Sequence, residues 1–228
     1  MFLKALGPHA LNELLEIFNL SFLHGDCPKI WRIATIIPLL KSGKPASEVA
    51  SFRPVSLTSC IAKLMERILA NRLYHLAETS NMFSKLQAGF RKGRSCEDNI
   101  TRIIQKIMDG FDQKPRMHRS VLVLLDFSKA YDTVWREKLL LSMLDQGIPP
   151  QIIRWLRSFL SDRRARVNLH GHLSKMYIFK QGLPQGSVLA PLLFLFYINN
   201  LAESLPDDVL SSLFADDVTI LATAPPPT

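Results

Sequence analysis

Three aspartates lie at positions where a carboxylate is unfavourable unless something neutralises it. Asp126 ends the apolar run 121–125, and Asp216 and Asp217 lie between two further short apolar runs. Burial disfavours an uncompensated carboxylate and adjacent carboxylates repel each other, so a divalent cation is an obvious partner. If the strands are neighbours in one sheet, the three side chains could hold two Mg²⁺ ions about 3.5–4 Å apart. Such a pair activates an attacking hydroxyl and stabilises a leaving phosphate.

The same aspartates also fit a purely structural role. An Asp that follows a strand is commonly a turn former, and an Asp-Asp pair at a hairpin tip is ordinary turn chemistry, so spacing alone leaves both interpretations open. The sequence has no GxxxxGK(S/T) phosphate loop, no HExxH zinc motif and no nucleophile elbow, and its six histidines are scattered. These observations exclude a P-loop nucleotide site and the common zinc and serine-nucleophile sites.

Charge is distributed unevenly along the chain. The net charge is +8 at pH 7, and all 28 Lys and Arg lie in residues 1–180, whereas residues 181–228 contain five acids and no Lys or Arg. A basic surface of this kind favours a polyanionic partner, most often nucleic acid, and a solvated basic surface is the alternative. With 228 residues, 47% of them hydrophobic and 21% charged, the composition is that of a folded globular protein and not of a disordered chain.

Apolar stretches and cysteines indicate where such a chain resides. The longest apolar stretch, Val188–Ile198, is 11 residues long and contains Pro191. A membrane-spanning helix needs about 18 residues or more, so no membrane partner is predicted. Three distant cysteines without a CxxC motif favour a reducing compartment, and no targeting signal is recognisable at the N-terminus. The predicted location is therefore intracellular, in the cytoplasm or nucleus.

Apolar periodicity predicts the elements that must position the aspartates. Amphipathic helices are predicted at 11–22, 61–76, 100–107, 134–144 and 149–160, and strands or hairpins at 33–40, 121–125, 166–179 and 209–221. Ser95 and Asp98 form a capping-box pattern, and Ser187 is predicted to cap an apolar helix that continues to about Leu201. The run 121–125 is unbroken, which predicts a strand buried on both faces. Segregated helices and hairpins predict an α+β fold.

Six segments resemble, in the same order, the sequence motifs of reverse transcriptases. They are the opening fingers motif (Trp31–Lys44), the "RPISL" segment (Ser51–Leu57), the "Q-x-GF-R-x-G-R-S" stretch of non-LTR elements (Gln87–Ser95), the first palm motif (Leu125–Asp132), the second palm motif (Gln181–Phe194) and the F/Y-x-D-D box (Phe214–Asp217). The set is similar to that of jockey-like, LINE-type retrotransposon polymerases. A group II intron-type polymerase is the alternative within this class, and the Gln87–Ser95 stretch favours the LINE type.

The resemblance implies a right-hand polymerase fold with fingers and a palm, in which an antiparallel sheet is backed by helices. Residues 1–109 would be a fingers-like region and 110–222 the palm, with a helix and hairpin insertion at about 136–182 that returns to the fingers. The chain ends 11 residues after Asp217, so a thumb is expected to be absent. The Pro-rich tail 223–228 is predicted to be disordered.

The resemblance also implies a catalytic triad. Asp126, Asp216 and Asp217 would be the catalytic, metal-binding carboxylates, and the main-chain carbonyl of Phe127 would complete a metal shell. The implied cofactor is a pair of Mg²⁺ ions, for which Mn²⁺ could substitute. The implied reaction is attack of a primer 3′-hydroxyl on the α-phosphate of a dNTP.

Several residues would bind the incoming nucleotide. Arg53 matches the fingers arginine that closes over the triphosphate, a role that suits the several donors of a guanidinium. Lys41 and Lys44 are candidates for a second triphosphate contact, with ordinary loop lysines as the alternative. Tyr131 occupies the position whose ring clashes with a ribose 2′-hydroxyl, and so would exclude ribonucleotides; a buried core aromatic is the alternative.

Two further groups of residues follow from the resemblance. Gln185 would contact the nucleotide and the template, and Gly186 would allow close backbone approach. Arg91, Lys92 and Arg94 could follow template phosphates, with a solvated basic loop as the alternative. The implied function is an RNA-directed DNA polymerase with an RNA template, a DNA primer and dNTPs as partners. The alternative is a truncated or domesticated, inactive relic that acts at most as a nucleic-acid-binding or interaction module.

Overall fold

The computed structural model describes residues 5–206 and 209–226. Its helices are α1 (Pro8–His24), α2 (Cys60–Thr79), α3 (Cys96–Phe111), α4 (Arg136–Asp145), α5 (Pro150–Leu160) and α6 (Ala190–Ile198). Its strands are β1 (Ile33–Leu40), β2 (Phe52–Leu57), β3 (Arg119–Asp126), β4 (Arg163–Leu169), β5 (His172–Leu173), β6 (Tyr177–Phe179), β7 (Val209–Phe214) and β8 (Asp217–Ala224). The described part of the chain therefore has the α+β composition that the sequence predicts.

The chain forms two compact units. Unit 1 comprises Met1–Asn71 and Tyr131–Ala190, and unit 2 comprises Arg72–Ala130 and Pro191–Thr228. Residues 72–109, which the prediction assigned to the fingers-like region, belong to unit 2, and the insertion at about 136–182 lies in unit 1 together with residues 1–71 of that region. The physical reason is packing: α3 lies against β3, β7 and β8, whereas β4 of the insertion pairs with β1.

Unit 1 is built on a mixed sheet with the strand order β2-β1-β4-β5, in which β6 also pairs with β4. β1 is antiparallel to β2 and parallel to β4, and β4 is antiparallel to both β5 and β6. The predicted hairpin at 166–179 is present, because β4 turns at His170 and Gly171, which both have positive φ, and then pairs with two short strands. The pairing of Leu40 with Phe52 places the basic loop 41–48 at one end of the sheet.

Helix α5 carries much of the apolar core of unit 1 and contacts both α1 and α4. Trp155, Leu156 and Phe159 are at most 1% exposed. The Trp155 ring stacks on Phe159 with centroids 5.3 Å apart, and its indole N–H donates to Ser21 Oγ of α1 at 2.9 Å. Full burial of a large apolar side chain contributes roughly 1.5–3 kcal/mol, so packing and not intrinsic propensity holds these helices in place.

Unit 2 contains a three-stranded antiparallel sheet with the order β3-β8-β7, against which α3 packs. The predicted capping box is present: Asp98 N donates to Ser95 Oγ at 3.3 Å, and Ser95 N donates to Asp98 Oδ2 at 2.7 Å. A Cβ at Gly110 would lie 2.7 Å from Thr223 Cγ2, so glycine lets the α3 backbone approach β8 closely. This is the expected palm arrangement of an antiparallel sheet backed by helical structure.

The prediction that the strand at 121–125 is buried on both faces is wrong. The side chains of Val121, Leu122, Val123, Leu124 and Leu125 are 43–72% exposed. Successive side chains of a strand point to opposite faces of the sheet, so exposure of all five shows that neither face of β3 is covered at these positions. An apolar run therefore predicts the strand but not what packs on its faces.

Two boundaries also differ from their predictions. Leu189 N donates to Ser187 Oγ at 3.2 Å, but α6 begins only at Ala190 and passes at Asn199 into a 3₁₀ turn, Asn199–Ser204. The predicted disordered tail 223–228 is wrong at its start, because β8 continues to Ala224 through pairing with β3. Residues 227 and 228 lie outside the described residues.

Candidate functional site

The three candidate carboxylates lie at one edge of the unit 2 sheet. Asp126 is the last residue of β3 and is paired in register with Asp217, the first residue of β8. Asp216 immediately precedes Asp217 in the two-residue turn that joins β7 to β8. Residues directly opposite each other on antiparallel strands have Cβ atoms about 4.5–5.5 Å apart. The two strand segments are therefore neighbours in one sheet, as the metal hypothesis requires.

The side chains do not form a ready metal cage. Asp126 and Asp217 are exposed and Asp216 is half-buried. In residues 5–206 and 209–226, no group of three or more His, Cys, Asp or Glu side chains is arranged so that it could hold a metal ion. The carbonyl of Phe127, the fourth predicted ligand, accepts a hydrogen bond from Ala130 N at 3.3 Å. The metal site therefore stays a prediction based on where the carboxylates lie.

Buried polar groups hold the turn that carries Asp216. Ala215 adopts φ +57°, a left-handed conformation that is unfavourable for a residue with a Cβ. The side-chain oxygen of Gln87 accepts from Ala215 N at 3.0 Å and from Gly89 N at 2.8 Å, and Gln87 is only 2% exposed. A Cβ at Gly89 would lie 2.1 Å from Ala215 N, so only glycine fits beside the turn.

The strand that leads into this turn is fixed in the same way. Ala88 N donates to Leu213 O and Leu213 N donates to Leu86 O, both at 2.9 Å, so the segment before the basic loop pairs with β7. Asn99 of α3, which is 7% exposed, donates a further bond from Nδ2 to Leu213 O at 3.0 Å. The turn carrying Asp216 is thus held by neighbours that lie more than 100 residues earlier in the sequence.

Sequence reasoning missed these supporting residues. Gln87 and Gly89 were recognisable as part of the Gln87–Ser95 motif, but nothing in composition or periodicity indicates that they contact the Asp-Asp turn. Asn99 carries no sequence signal of its role, because its only mark is a polar residue within an amphipathic helix. Long-range pairing of this kind is decided by the tertiary fold.

The basic loop after this segment divides into one structural residue and two available ones. Arg91 donates to both carboxylate oxygens of Glu78, at 2.8 and 2.7 Å, and to the carbonyls of Ser84 and Gln87, and its side chain is 8% exposed. The bond from Arg91 lowers the pKa of Glu78. Arg91 therefore has a structural role in the fold, because four hydrogen bonds within unit 2 engage its guanidinium, and its contact with template phosphates stays a prediction.

Lys92 and Arg94, by contrast, are exposed. The Lys92 ammonium lies 5.8 Å from the centroid of the Tyr74 ring, and the backbone N–H of Lys92 donates a hydrogen bond to the Tyr74 hydroxyl at 2.6 Å. Arg94 lines an open cavity of about 630 Å³ beside α3, together with Arg102 and Lys106. These cations remain candidates for contact with a polyanion.

Unit 1 holds the candidate nucleotide-binding residues. Arg53 of β2 is exposed, and so is Lys44 in the loop after β1. Lys41 N donates to Ser51 O at 2.9 Å and its ammonium donates to Ala50 O at 3.2 Å, so Lys41 also helps to close that loop. Arg53 and Lys44 have the exposure that a triphosphate contact requires.

Tyr131, Gln185 and Gly186 are connected through one irregular loop. The half-buried Tyr131 accepts a hydrogen bond at its carbonyl from Leu183 N at 2.7 Å. Ser56 N of β2 donates to Gln185 O at 2.7 Å, and the Gln185 amide donates to Asp132 Oδ1 at 3.1 Å. Gly186 has φ +111°, and a Cβ there would lie 2.6 Å from Ser56 O. The close approach that glycine permits is thus to the chain's own β2.

No helix in the described residues is both long enough and apolar enough to cross a lipid bilayer.

Comparison with known proteins identifies the family. Residues 40–226 match the family described as reverse transcriptase (RNA-dependent DNA polymerase). The chain belongs to the reverse transcriptase family. Relatives include a probable RNA-directed DNA polymerase from transposon BS and the RNA-directed DNA polymerase from mobile element jockey, both of Drosophila melanogaster, which are 34% and 32% identical over 225 residues. Each alignment covers 96% of this chain and 24% of the relative, so the chain spans about a quarter of their length.

Solved structures show the same fold. Apo telomerase from Candida tropicalis, truncated from its C-terminal domain, has a TM-score of 0.61 and 14% identity, and the match covers 94% of this chain and 49% of that chain. Telomerase from Candida albicans in complex with a TWJ fragment of telomeric RNA has a TM-score of 0.55 and 13% identity over 92% of this chain and 40% of that chain. The right-hand polymerase fold and the family predicted from the six motifs are confirmed.

Proposed function

We propose that this chain is the catalytic fingers-and-palm part of an RNA-directed DNA polymerase of a non-LTR retrotransposon, which transfers nucleotides from dNTPs to a primer 3′-hydroxyl on an RNA template. The observation that carries the proposal is the register pairing of Asp126 with Asp217, with Asp216 beside them, in a chain of the reverse transcriptase family. Relatives of similar sequence are named RNA-directed DNA polymerases. The sequence favours an intracellular location, in the cytoplasm or nucleus, for this activity.

The position of the three carboxylates at one edge of the sheet supports binding of a pair of divalent ions. Carboxylate oxygens are the ligands that Mg²⁺ takes in proteins. Asp126 and Asp217 face each other, and directly opposed like charges are unfavourable until a cation lies between them. Asp126, Asp216 and Asp217, with the carbonyl of Phe127, would hold two Mg²⁺ or Mn²⁺ ions. Such ions promote deprotonation of the attacking hydroxyl and stabilise the charge that develops on pyrophosphate.

The chain's own side chains orient the substrates. The exposed guanidinium of Arg53 offers several donors to triphosphate oxygens, and Lys44, with Lys41, adds positive charge at the neighbouring loop. The Tyr131 ring excludes a 2′-hydroxyl and so selects deoxynucleotides. The Gln185 side chain, held near the backbone turn at Gly186, contacts the nucleotide at the template base pair.

Lys92 and Arg94 contact the phosphate backbone of the primer–template duplex. Base pairing selects the nucleotide, so these contacts position the nucleic acid without reading its sequence. Counterion release makes such binding weaken as salt rises, with a slope that scales with the number of phosphates contacted. Binding of an RNA–DNA duplex that does not change between about 50 and 200 mM salt would contradict this role.

The decisive test is Mg²⁺-dependent dNTP incorporation on oligo(dT)-primed poly(rA). The variants Asp126→Asn and Asp216→Asn keep side-chain size and remove a charged ligand, and we expect each to reduce incorporation by about 10²-fold or more. Asp145→Asn, at the exposed end of α4, is the matched control and should retain the unaltered rate. Equal incorporation by the unaltered chain and the Asp216→Asn variant would overturn the assignment of the site.

The alternative function is that of a relic which binds nucleic acid without catalysis, and the concentration of all 28 basic residues in residues 1–180 is the observation that favours it. Salt-dependent duplex binding by a chain that incorporates no dNTP would support the alternative. Incorporation that is lost in the Asp216→Asn variant would exclude it.

A further inference from the structure

The loop that carries Gln185 and Gly186 has no regular structure of its own. It extends over residues 180–189, between the end of β6 at Phe179 and the start of α6 at Ala190. Backbone N–H and C=O groups in such a segment lack the partners that a helix or sheet supplies. The loop therefore needs other groups to satisfy them, and two charged side chains of unit 1 do so at its two ends.

Arg136 binds the carbonyls at the first end. Its guanidinium donates to Gly182 O at 2.8 Å, Gln181 O at 2.8 Å, Phe179 O at 2.7 Å and Leu160 O at 2.7 Å. One side chain thus ties the loop to the end of β6 and to the last turn of α5. A guanidinium carries donors only, in a fixed planar arrangement, which matches a cluster of backbone carbonyls.

Glu66 binds the donors at the other end. A single carboxylate oxygen, Oε2, accepts from the Ser187 hydroxyl, from Val188 N at 2.7 Å and from Leu189 N at 3.2 Å. Glu66 lies on α2 and is fully buried. A carboxylate carries acceptors only, so it complements the amides that precede α6 as the guanidinium complements the carbonyls.

Glu66 is fully buried and Arg136 half-buried in unit 1, so both charged groups carry a desolvation cost that a surface residue avoids. Burial and, to a smaller extent, the nearby positive charge of Arg163 together lower the pKa of Arg136 to about 10, so the guanidinium remains protonated at neutral pH. The second oxygen of Glu66 is buried without a hydrogen-bond partner among the described residues. Attraction between Glu66 and the buried Arg163 opposes the desolvation that lowers the pKa of Arg163. Buried charges of this kind are costly when they lose their partners.

We propose that Arg136 and Glu66 are positioning residues, which hold the loop at 180–189 in one conformation so that Gln185 and Gly186 are in place before the nucleotide binds. The inference rests on the proposed function for its nucleotide part. Charge-assisted hydrogen bonds are about twice as strong as neutral ones, and the five of them that reach the loop would have to break for it to leave its place. Preorganisation of this kind removes the cost of ordering the loop when the substrate binds.

The test compares conservative variants with a matched surface pair. Arg136→Lys keeps the charge but cannot reach four carbonyls, and Glu66→Gln keeps the shape but removes the charge. Glu137→Gln and Arg157→Lys are the controls, because these side chains form an ion pair at 3.6 Å and are 60% and 57% exposed. Hydrogen exchange of the backbone amides and the dNTP dependence of incorporation are measured on the full chain, along with thermal stability.

We expect Glu66→Gln to accelerate amide exchange at Val188 and Leu189 by about tenfold. Arg136→Lys should have an effect of the same size at Gly182 and Leu183. Exchange within α5 should be unchanged in both variants. The KM for dNTP should rise about tenfold in both variants, with kcat within about threefold of the unaltered chain. Controls should match the unaltered chain in every readout.

Three results would overturn the proposal: loop exchange that is unchanged, exchange that rises equally within α5, or faster loop exchange with an unchanged KM for dNTP. The second would show a general contribution to stability, and the third a loop that positions nothing. If the unaltered chain incorporates no dNTP, the proposed function and the nucleotide part of this inference fail together. The exchange comparison still decides whether the two charges anchor the loop.

Discussion

Two irregular segments of this protein carry candidate site residues, and they are held by different physical means. In unit 2, neutral groups hold the turn at Ala215 and Asp216. The Gln87 side chain accepts from Ala215 N, and the Asn99 amide donates to Leu213 O of β7. Gly89 packs so closely against the turn that there is no room for a Cβ. In unit 1, the loop at Gln185 is held by two charged side chains, Arg136 and Glu66. The turn should therefore be sensitive to added volume, and the loop to lost charge.

The largest effect should come from adding one methyl group beside the turn. In the Gly89→Ala variant, the new Cβ would lie 2.1 Å from Ala215 N and 2.8 Å from Phe214 C, so backbone must move. We expect a loss of about 3 kcal/mol in the free energy of unfolding, together with loss of incorporation. Urea denaturation measures the first. Gly7→Ala is the control, because no atom lies within 4 Å of that Cβ, and a similar loss in both variants would contradict the packing argument.

Removing the neutral acceptor in the turn should have the next largest effect. Gln87→Ala leaves the buried N–H groups of Ala215 and Gly89 without their acceptor, at an expected cost of about 2 kcal/mol. Gln105→Ala on the exposed face of α3, where the amide binds Asp109, is the matched control and should cost less than about 0.5 kcal/mol. A Gln87→Ala chain as stable as the control would show that the turn does not depend on this acceptor.

The ion pair between Arg91 and Glu78 in unit 2 should make stability depend on pH. Because the hydrogen bond from Arg91 lowers the pKa of Glu78 below 4.5, the stability it contributes is fully present above about pH 4.5 and is lost as pH falls through the lowered value. Unfolding free energies of the unaltered chain and the Glu78→Gln variant, measured in steps from pH 7 to pH 3, should therefore converge at the acid end. A constant difference at all pH values would exclude an ionic contribution.

The smallest effect on stability is expected from ionisation of the Cys27 thiol in the core of unit 1. Burial raises the pKa of the Cys27 thiol to about 12, so a thiol reagent at pH 8 should modify the exposed Cys60 and Cys96 quickly and Cys27 only on unfolding. The stability linked to the neutral thiol is fully present below about pH 9 and is lost as pH rises towards 12. Three thiols that react at equal rates would show that this core opens readily.

Much of the architecture follows from local sequence. The helices around Trp155 and Ile103 follow from apolar spacing, the start of α3 from the Ser95 capping box, and the β7–β8 hairpin from two apolar runs around the Asp-Asp pair. The exposure of β3 did not follow, because an unbroken apolar run indicates a strand but carries no information about what packs on the two faces of its sheet. The role of Arg91 did not follow either, because its acceptor Glu78 lies 13 residues away on another element.

The reverse transcriptase family and the candidate catalytic carboxylates could be recognised from the amino-acid sequence, because residue types and the order of motifs can be read without the fold. The contacts that hold those residues in place became visible in the three-dimensional structure. Gln87 meets Ala215 across 128 residues, and Glu66 meets Ser187 across 121, through contacts that no spacing rule encodes. The physical reason is that buried polar groups must find partners wherever the fold brings them, and those partners are set by packing in three dimensions.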